Sequence, residues 1–279
     1  GLSPHTVACT GALDQACGAI GVGNIGPGIF SENTGAALAI CATVPHPTLD
    51  PNNQMPCHYH GLPGLYMLHT FTGGGIAMRW FRDEFAQMER LVGQASGQDA
   101  YDLLGMEAAR VPPGCEGLVM LPHLQGAMAP EANPKAKGVF YGFTLRHGRS
   151  HFARAIMEAV GFIVRRNIEV IEGLGVPVNE VRALGGGARS RIWKQIEADI
   201  TQRPVLTTTN EEAATLGAAI LAGKAAGLYA SVEEAVGQMV QIKDRFEPSP
   251  VNTQVYEETY HTYIRLYDAL RPLFESSTG

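Results

Sequence analysis

The stretch VRALGGGARSRIWKQIEADITQRPVLTTT, residues 181–209, decides the architecture. VRAL (181–184) is a short apolar strand, and VLTTT (205–209) is rich in the β-branched residues that favour extended backbone. Between them, Gly185–Gly187 let the chain turn and approach a neighbour with no Cβ in the way. A helix follows from about Ser190 to Ile200. Strand, glycine loop, helix and strand in succession make the repeating unit of an α/β protein.

Working outward, the same alternation continues. Glu211–Ala226 reads as an Ala-rich helix, Ser231 with Glu234 forms a capping-box pattern, and Asn252 opens a last helix. In that helix Tyr256, Tyr260, Tyr263 and Tyr267 recur at helical spacing, which marks core positions. Upstream, a long helix capped by Ser150 carries Phe152, Ile156, Val160, Ile163 and Val170 on its inner face and stops at Gly173, Gly175 and Pro177. GLVMLP (117–122) and GVFYGF (138–143) read as strands, and Gly75–Val92 as one amphipathic helix opening out of three glycines. IFSEN and AALAICATV form a strand–turn–strand unit about Thr34–Gly35, followed by an exposed Pro/Asn-rich loop. Residues 14–20 are a short helix with Asp14 as its N-cap. The expected class is α/β with a mixed sheet flanked by helices.

Composition narrows the function. The 279 residues are 45% hydrophobic and 17% charged, ordinary for a globular protein. A net charge of −6 with no dense Lys/Arg run argues against a nucleic-acid partner. The five cysteines are scattered without a C-x-x-C pair, which suits a reducing cytoplasm. No apolar run approaches the ~18 residues of a membrane span, and the N-terminus lacks the basic start of a signal peptide. A first residue of Gly in place of Met leads to the expectation of a processed or truncated chain.

Several signals have a plain reading and a sharper one. Gly21-x-Gly23-x-x-Gly26 matches a dinucleotide fingerprint in letters, yet a helix precedes it and a strand follows, so it reads as a structural turn. Cys57, His58 and His60 lack the second pair of ligands that zinc requires and read as an extended segment, so no metal ligand is assigned in this chain. The glycine clusters 73–75 and 185–187 each precede an amphipathic helix; singly they read as tight turns, together as places where backbone meets an anionic ligand. Asp14 with Gln15 is either a helix cap or a base and an orienting amide beside a substrate alcohol.

In order, these segments resemble the FGGY carbohydrate kinases, members of the actin, sugar kinase and Hsp70 ATPase fold with its ribonuclease H-like domain. TGALDQACGAIGVG (10–23) is similar to the family segment with the catalytic aspartate, which implies that role for Asp14 and a sugar contact for Gln15. SENTGAALAI (31–40) resembles the second phosphate loop, implying ATP contacts at Thr34 and Gly35, and GGGIAMRWFRDE (73–84) implies a nucleotide approach at Gly74 and Gly75. GVFYGFTLRHGRSHFARAIMEAV (138–160) resembles the C-terminal signature, with Phe143 where a smaller aliphatic residue is usual. ALGGGARSRIWKQIEADITQRPV (183–205) resembles the adenosine motif, setting the adenine against Gly186, Gly187 and Ala188, and EEAATLGAAILAG (211–223) resembles the helix that follows.

The nearest likeness within the family is to sequences grouped with xylulose kinases. It implies transfer of the ATP γ-phosphoryl group, with Mg²⁺ bridging the phosphates, to D-xylulose, giving xylulose 5-phosphate. Ribulose, glycerol or another polyol is the alternative acceptor, and an ATP-binding module without catalysis the alternative class. Residues 1–24 correspond to the end of the sugar-site segment and a domain junction, and 25–279 to the C-terminal ATP-binding domain. The family's N-terminal domain has no counterpart in this chain. Its expected partners are therefore a sugar, ATP and that missing domain, and the isolated chain is expected to be inactive, with a bare docking face that favours self-association as a homodimer.

Overall fold

The computed structural model describes residues 1–276. After an extended entry segment come helix α1 (Asp14–Gly21) and an antiparallel hairpin of β1 (Gly28–Thr34) and β2 (Ala37–Val44). β3 (Cys57–Tyr59) and β4 (Tyr66–Gly73) extend the sheet beyond β2. Helices α2 (Ile76–Phe85), α3 (Gln87–Ser96) and α4 (Ala100–Ala108) lead to a separate ribbon of β5 (Val119–Pro122) with β6 (Gly138–Tyr141), and then to the long α5 (Arg149–Gly173). β7 (Val178–Leu184), α6 (Arg191–Thr201) and β8 (Val205–Thr208) follow, with α7 (Ala213–Ala225), α8 (Val232–Met239), β9 (Ile242–Phe246) and α9 (Thr253–Ser276) completing the chain.

The main sheet has the order β3-β4-β2-β1-β7-β8-β9. β1, β7 and β8 run parallel at its centre, and the outer strands pair antiparallel. Side chains alternate across a strand, so Phe30 of β1 with Leu38 and Ile40 of β2 joins a core that includes Ile156, Val160 and Ile163 of α5, Ile196 of α6 and the four tyrosines of α9. On the other face, Ala16 and Ala19 of α1 pack on Cys41 and Met67. Helix α1 also touches α7 backbone to backbone. A Cβ on Gly21 would stand 1.9 Å from the Ala213 carbonyl oxygen, and one on Gly217 1.8 Å from that of Cys17. This close crossing accounts for the first glycine of the false dinucleotide pattern.

The structure departs from the sequence reading at several helix ends. Asp14 is the first helical residue and not the cap; Leu13 holds the capping position with extended dihedrals. The single helix over 75–92 is two, broken at Ala86, because the Gln87 side-chain amide donates to the Asp83 and Glu84 carbonyls at the end of α2. The long helix starts at Arg149 with Gly148 at its cap in place of Ser150, and His151 Nδ1 accepts from the Gly148 amide. β4, α4 and β9 were not anticipated, whereas β3 falls in the segment about Cys57, His58 and His60 that reads as extended. β3 and β9 are the edge strands, and their side chains are mostly exposed, so neither shows the apolar alternation that announces a strand.

Candidate active site

The turn between β1 and β2 is the exposed tip of an otherwise buried hairpin: Gly35, Ala36 and Ala37 are open to solvent while Thr34 is buried. Its carbonyls are pinned from one side. Gly75 N donates to Gly35 O at 2.9 Å, and Ile76 N to Ala36 O at 3.0 Å. The amides opening α2 are thus spent within the chain and do not stand free for an anion. Glycine is required here by closeness, since a Cβ on Gly75 would lie 2.4 Å from Gly35 O and one on Gly74 2.9 Å from the Leu38 amide nitrogen.

The loop Gly185–Arg189 presses on the same hairpin from the other side. Gly185 takes the left-handed conformation (φ +78°), and a Cβ there would meet Asn33 Oδ1 at 2.2 Å. Gly187 is buried, and a Cβ on it would reach Thr34 Cγ2 at 2.6 Å. Gly186, by contrast, is exposed, with Thr34 O its nearest neighbour at 3.9 Å from such a Cβ. Ala188 helps line a hollow of about 350 Å³ at the ends of β7 and β8, together with Leu184, Thr207, Asn210 and Lys243. An ion pair between Arg189 and Glu211, 2.6 Å, spans its rim.

Beneath the turn lies a buried ionic triad that sequence reasoning missed. Lys194 Nζ of α6 donates to Glu32 Oε1 of β1 at 2.5 Å and to Glu197, one turn further along α6. Thr34 Oγ1 donates to the other Glu32 oxygen at 2.5 Å. Burial and the neighbouring Glu197 push the Glu32 carboxyl up to about 8, against the pull of Lys194. The triad joins the helix that follows the glycine loop to the strand that carries the turn. Lys194 stands beside Gln195 and three residues before Glu197, a pattern that reads from sequence as a solvated helix face.

A second hollow, about 360 Å³, opens between the start of α1 and the sheet and is lined by Asp14, Gln15, Ser31, Asn33, Cys41 and Ala214 among others. Asp14 is exposed, and its Oδ1 accepts only the Gln15 amide at 2.9 Å. Of the described residues lining this hollow it is the one with a charged side chain. The floor below is neutral. Asn24 donates to Ser31 Oγ (3.0 Å) and to Cys41 O (3.1 Å), and burial pushes the Cys41 thiol up to about 12. His60, one of the residues weighed as a metal ligand, has Nε2 on Asn24 O at 3.1 Å and Nδ1 on the Leu62 amide at 3.4 Å, and burial holds it below the usual histidine range.

The structure therefore brings Thr34, Gly35, Gly74, Gly75, Gly186, Gly187 and Ala188 around one turn, with Asp14 and Gln15 in the adjoining hollow that Asn33 also lines. Residues 39–226 match the family model described as the C-terminal domain of the FGGY family of carbohydrate kinases. The chain belongs to that family. Over 275 residues this FGGY chain is 33% identical to a gluconokinase of Bacillus licheniformis, covering 97% of this chain and 53% of the relative. It is 30% identical to a xylulose kinase of Bacillus subtilis, covering 98% of this chain and 55% of the relative. The crystal structure of xylulose kinase from Rhodospirillum rubrum superposes with a TM-score of 0.83 at 32% identity, over 95% of this chain and 52% of that one. The FGGY chain thus spans about half the length of these relatives, and its mixed sheet has the actin, sugar kinase and Hsp70 ATPase fold.

Proposed function

We propose that the protein containing this FGGY chain transfers the γ-phosphoryl group of ATP to a hydroxyl of a small polyhydroxylated acceptor, with Asp14 as the base. The observation that carries this reading is the shared hollow: a lone carboxylate and Asn33, two residues before the exposed tip of the turn, line one cavity. Transfer of this kind depends on alignment and charge neutralisation more than on covalent help from the protein. The acceptor hydroxyl oxygen attacks phosphorus, its proton passes to an Asp14 oxygen, the bond from γ-phosphorus to the bridging oxygen breaks, and ADP leaves. Gln15 orients the acceptor. The turn backbone at Thr34 and Gly35 faces the phosphates; the Thr34 hydroxyl serves it indirectly, being bonded to Glu32. Gly74 and Gly75 hold the turn, and Gly186, Gly187 and Ala188 border the nucleoside. Mg²⁺ enters with ATP as part of the substrate; no cluster of three or more His, Cys, Asp or Glu suited to a metal occurs among the described residues.

In this reading residues 1–24 close the sugar site and 25–279 bind ATP, while an N-terminal half supplies the rest of the acceptor pocket. D-xylulose is the first acceptor to test, and D-gluconate the second, because relatives bearing each name are about equally similar. The experiment is ADP release by the full-length protein with xylulose, gluconate, ribulose and glycerol. Dependence on one acceptor, abolished by Asp14→Asn, is the expected result. Tight ATP binding with no acceptor-dependent ADP release would leave a nucleotide-binding module and overturn the kinase reading.

A further inference from the structure

We propose that the Asn33 side-chain amide contacts the transferring phosphoryl group directly, donating from Nδ2 to one of its non-bridging oxygens. This rests on the kinase reading above and adds a catalytic residue to it. Side-chain alternation along β1 sends Glu32 and Thr34 down to the buried triad and turns Asn33 to the opposite face. There Asn33 lines the same hollow as Asp14 and Gln15. It also stands two residues before the exposed tip Gly35–Ala37, with the buried Thr34 between.

The amide is held but unused. Its Oδ1 would stand 2.2 Å from a Cβ on Gly185, so the side chain packs closely against the glycine loop. Among the described residues no hydrogen bond is made to or from the Asn33 side chain, whereas Asn24 on the floor below is bonded through both its oxygen and its nitrogen. An amide with two unspent donor hydrogens, lining the same hollow as a lone carboxylate, suits a ligand group that is anionic and rich in acceptors. A phosphoryl group in flight carries charge on its three equatorial oxygens. Asp14 repels that charge, and no cationic side chain among the described residues lines the hollow to offset it. A neutral donor fixed before the reaction begins is the element that stabilises such charge at no reorganisation cost.

The balance of the step is unchanged: the acceptor O–P bond forms, the proton goes to Asp14, the bridging P–O bond breaks and ADP departs. Asn33 neither gains nor loses a proton. The test uses the full-length protein carrying Asn33→Ala or the near-isosteric Asn33→Asp. Loss of one such donor lowers kcat by about 10²–10³-fold, with KM for ATP held within about threefold, and Asn33→Asp is slower still because it adds a second negative charge. A second readout is independent of turnover: the affinity for ADP with aluminium fluoride, relative to ADP alone, falls by a similar factor in both variants. Wild-type kcat in Asn33→Asp, or a loss confined to ATP KM with an unchanged aluminium-fluoride ratio, overturns the assignment while leaving the kinase reading intact. Failure of that reading shows differently, as wild-type protein with no acceptor-dependent ADP release at all. Should Asn33→Ala fold poorly, Asn33→Asp, which keeps the shape against Gly185, decides the matter alone.

Discussion

Lys194 Nζ lies 2.5 Å from Glu32 Oε1 with neither side chain exposed to solvent, although the residues belong to α6 and β1 and stand far apart in sequence. Two carboxylates share this one ammonium. Removing the cation leaves them facing each other in a medium that solvates neither. Lys194→Met is expected to destabilise the fold by about 3–5 kcal/mol, the range for breaking a buried pair. Replacing Glu32, Lys194 and Glu197 together by methionine should recover most of that, since an apolar triad has no charge to strand. Urea unfolding of the two variants checks both halves of the expectation.

The same triad sets a pH dependence. Glu32 ionises near 4.5 when unfolded and near 8 when folded, raised first by burial and then by Glu197. The folded state therefore holds this proton more tightly, and the stability it contributes is full below pH 4.5 and lost as pH rises towards 8. His123 acts oppositely: burial lowers it from 6.5 to about 4, so its contribution is present above pH 6.5 and lost as pH falls through 4. Unfolding free energies measured from pH 5 to 9 should carry a decline from this group up to about pH 8 that levels off above it, and Glu32→Gln should flatten that decline. Parallel profiles for wild type and Glu32→Gln would mean that Glu32 is ionised throughout.

Neighbouring glycines should respond differently to the same methyl group. Gly187→Ala sets a Cβ 2.6 Å from Thr34 Cγ2 and displaces the turn, so a loss of about 1–3 kcal/mol and weakened ATP binding are expected together. Gly186→Ala meets nothing nearer than 3.9 Å, which keeps stability within about 0.5 kcal/mol and isolates any effect on the nucleotide. Melting temperature and ATP titration separate the two.

Asp14→Asn should leave the melting temperature nearly unchanged, because the bond its side chain makes is to the adjacent Gln15 amide on an exposed helix end. In the full-length protein kcat should nevertheless fall by about 10²–10⁴-fold, as an amide cannot take the hydroxyl proton. Unchanged turnover would return Asp14 to a purely structural place in the first turn of α1.

Gly217→Ala tests the close crossing of α1 and α7. Its Cβ would stand 1.8 Å from Cys17 O, backbone that cannot rotate away, so α1 must shift and carry Asp14 with it. Lower stability and lower kcat with intact ATP binding are the expected combination, measured by denaturation and by nucleotide titration.

How much of this was legible beforehand differs between elements for physical reasons. The β1–β2 hairpin, the glycine loop with α6, the long α5 and the tyrosine face of α9 all announce themselves, because local rules govern them: period-2 or period-3.6 apolar spacing, glycine where the chain must turn, serine at a helix start. Serine at 231 does cap α8, accepting from the Glu234 amide at 3.1 Å. The break at Ala86 and the exposed edge strands β3 and β9 escape those rules. One is marked by the side-chain bonds of a single glutamine, and the others are short, exposed and paired along one edge only.

For the site, sequence by itself determined the family resemblance and a set of small and acidic residues, since glycine and aspartate carry their possible roles in their own chemistry. It could not tell which glycine approaches what: Gly75 meets the turn, Gly185 makes room for Asn33, Gly187 covers Thr34, and Gly186 faces outward. Nor could it find Glu32, Lys194 and Asn33. A glutamate in a strand and a lysine in an amphipathic helix look solvated until the sheet stacks against α6 and removes the water, and an asparagine beside a turn looks like turn chemistry until alternation sets it in the hollow that Asp14 also lines. Desolvation and convergence are properties of packing, and only the tertiary structure decided them.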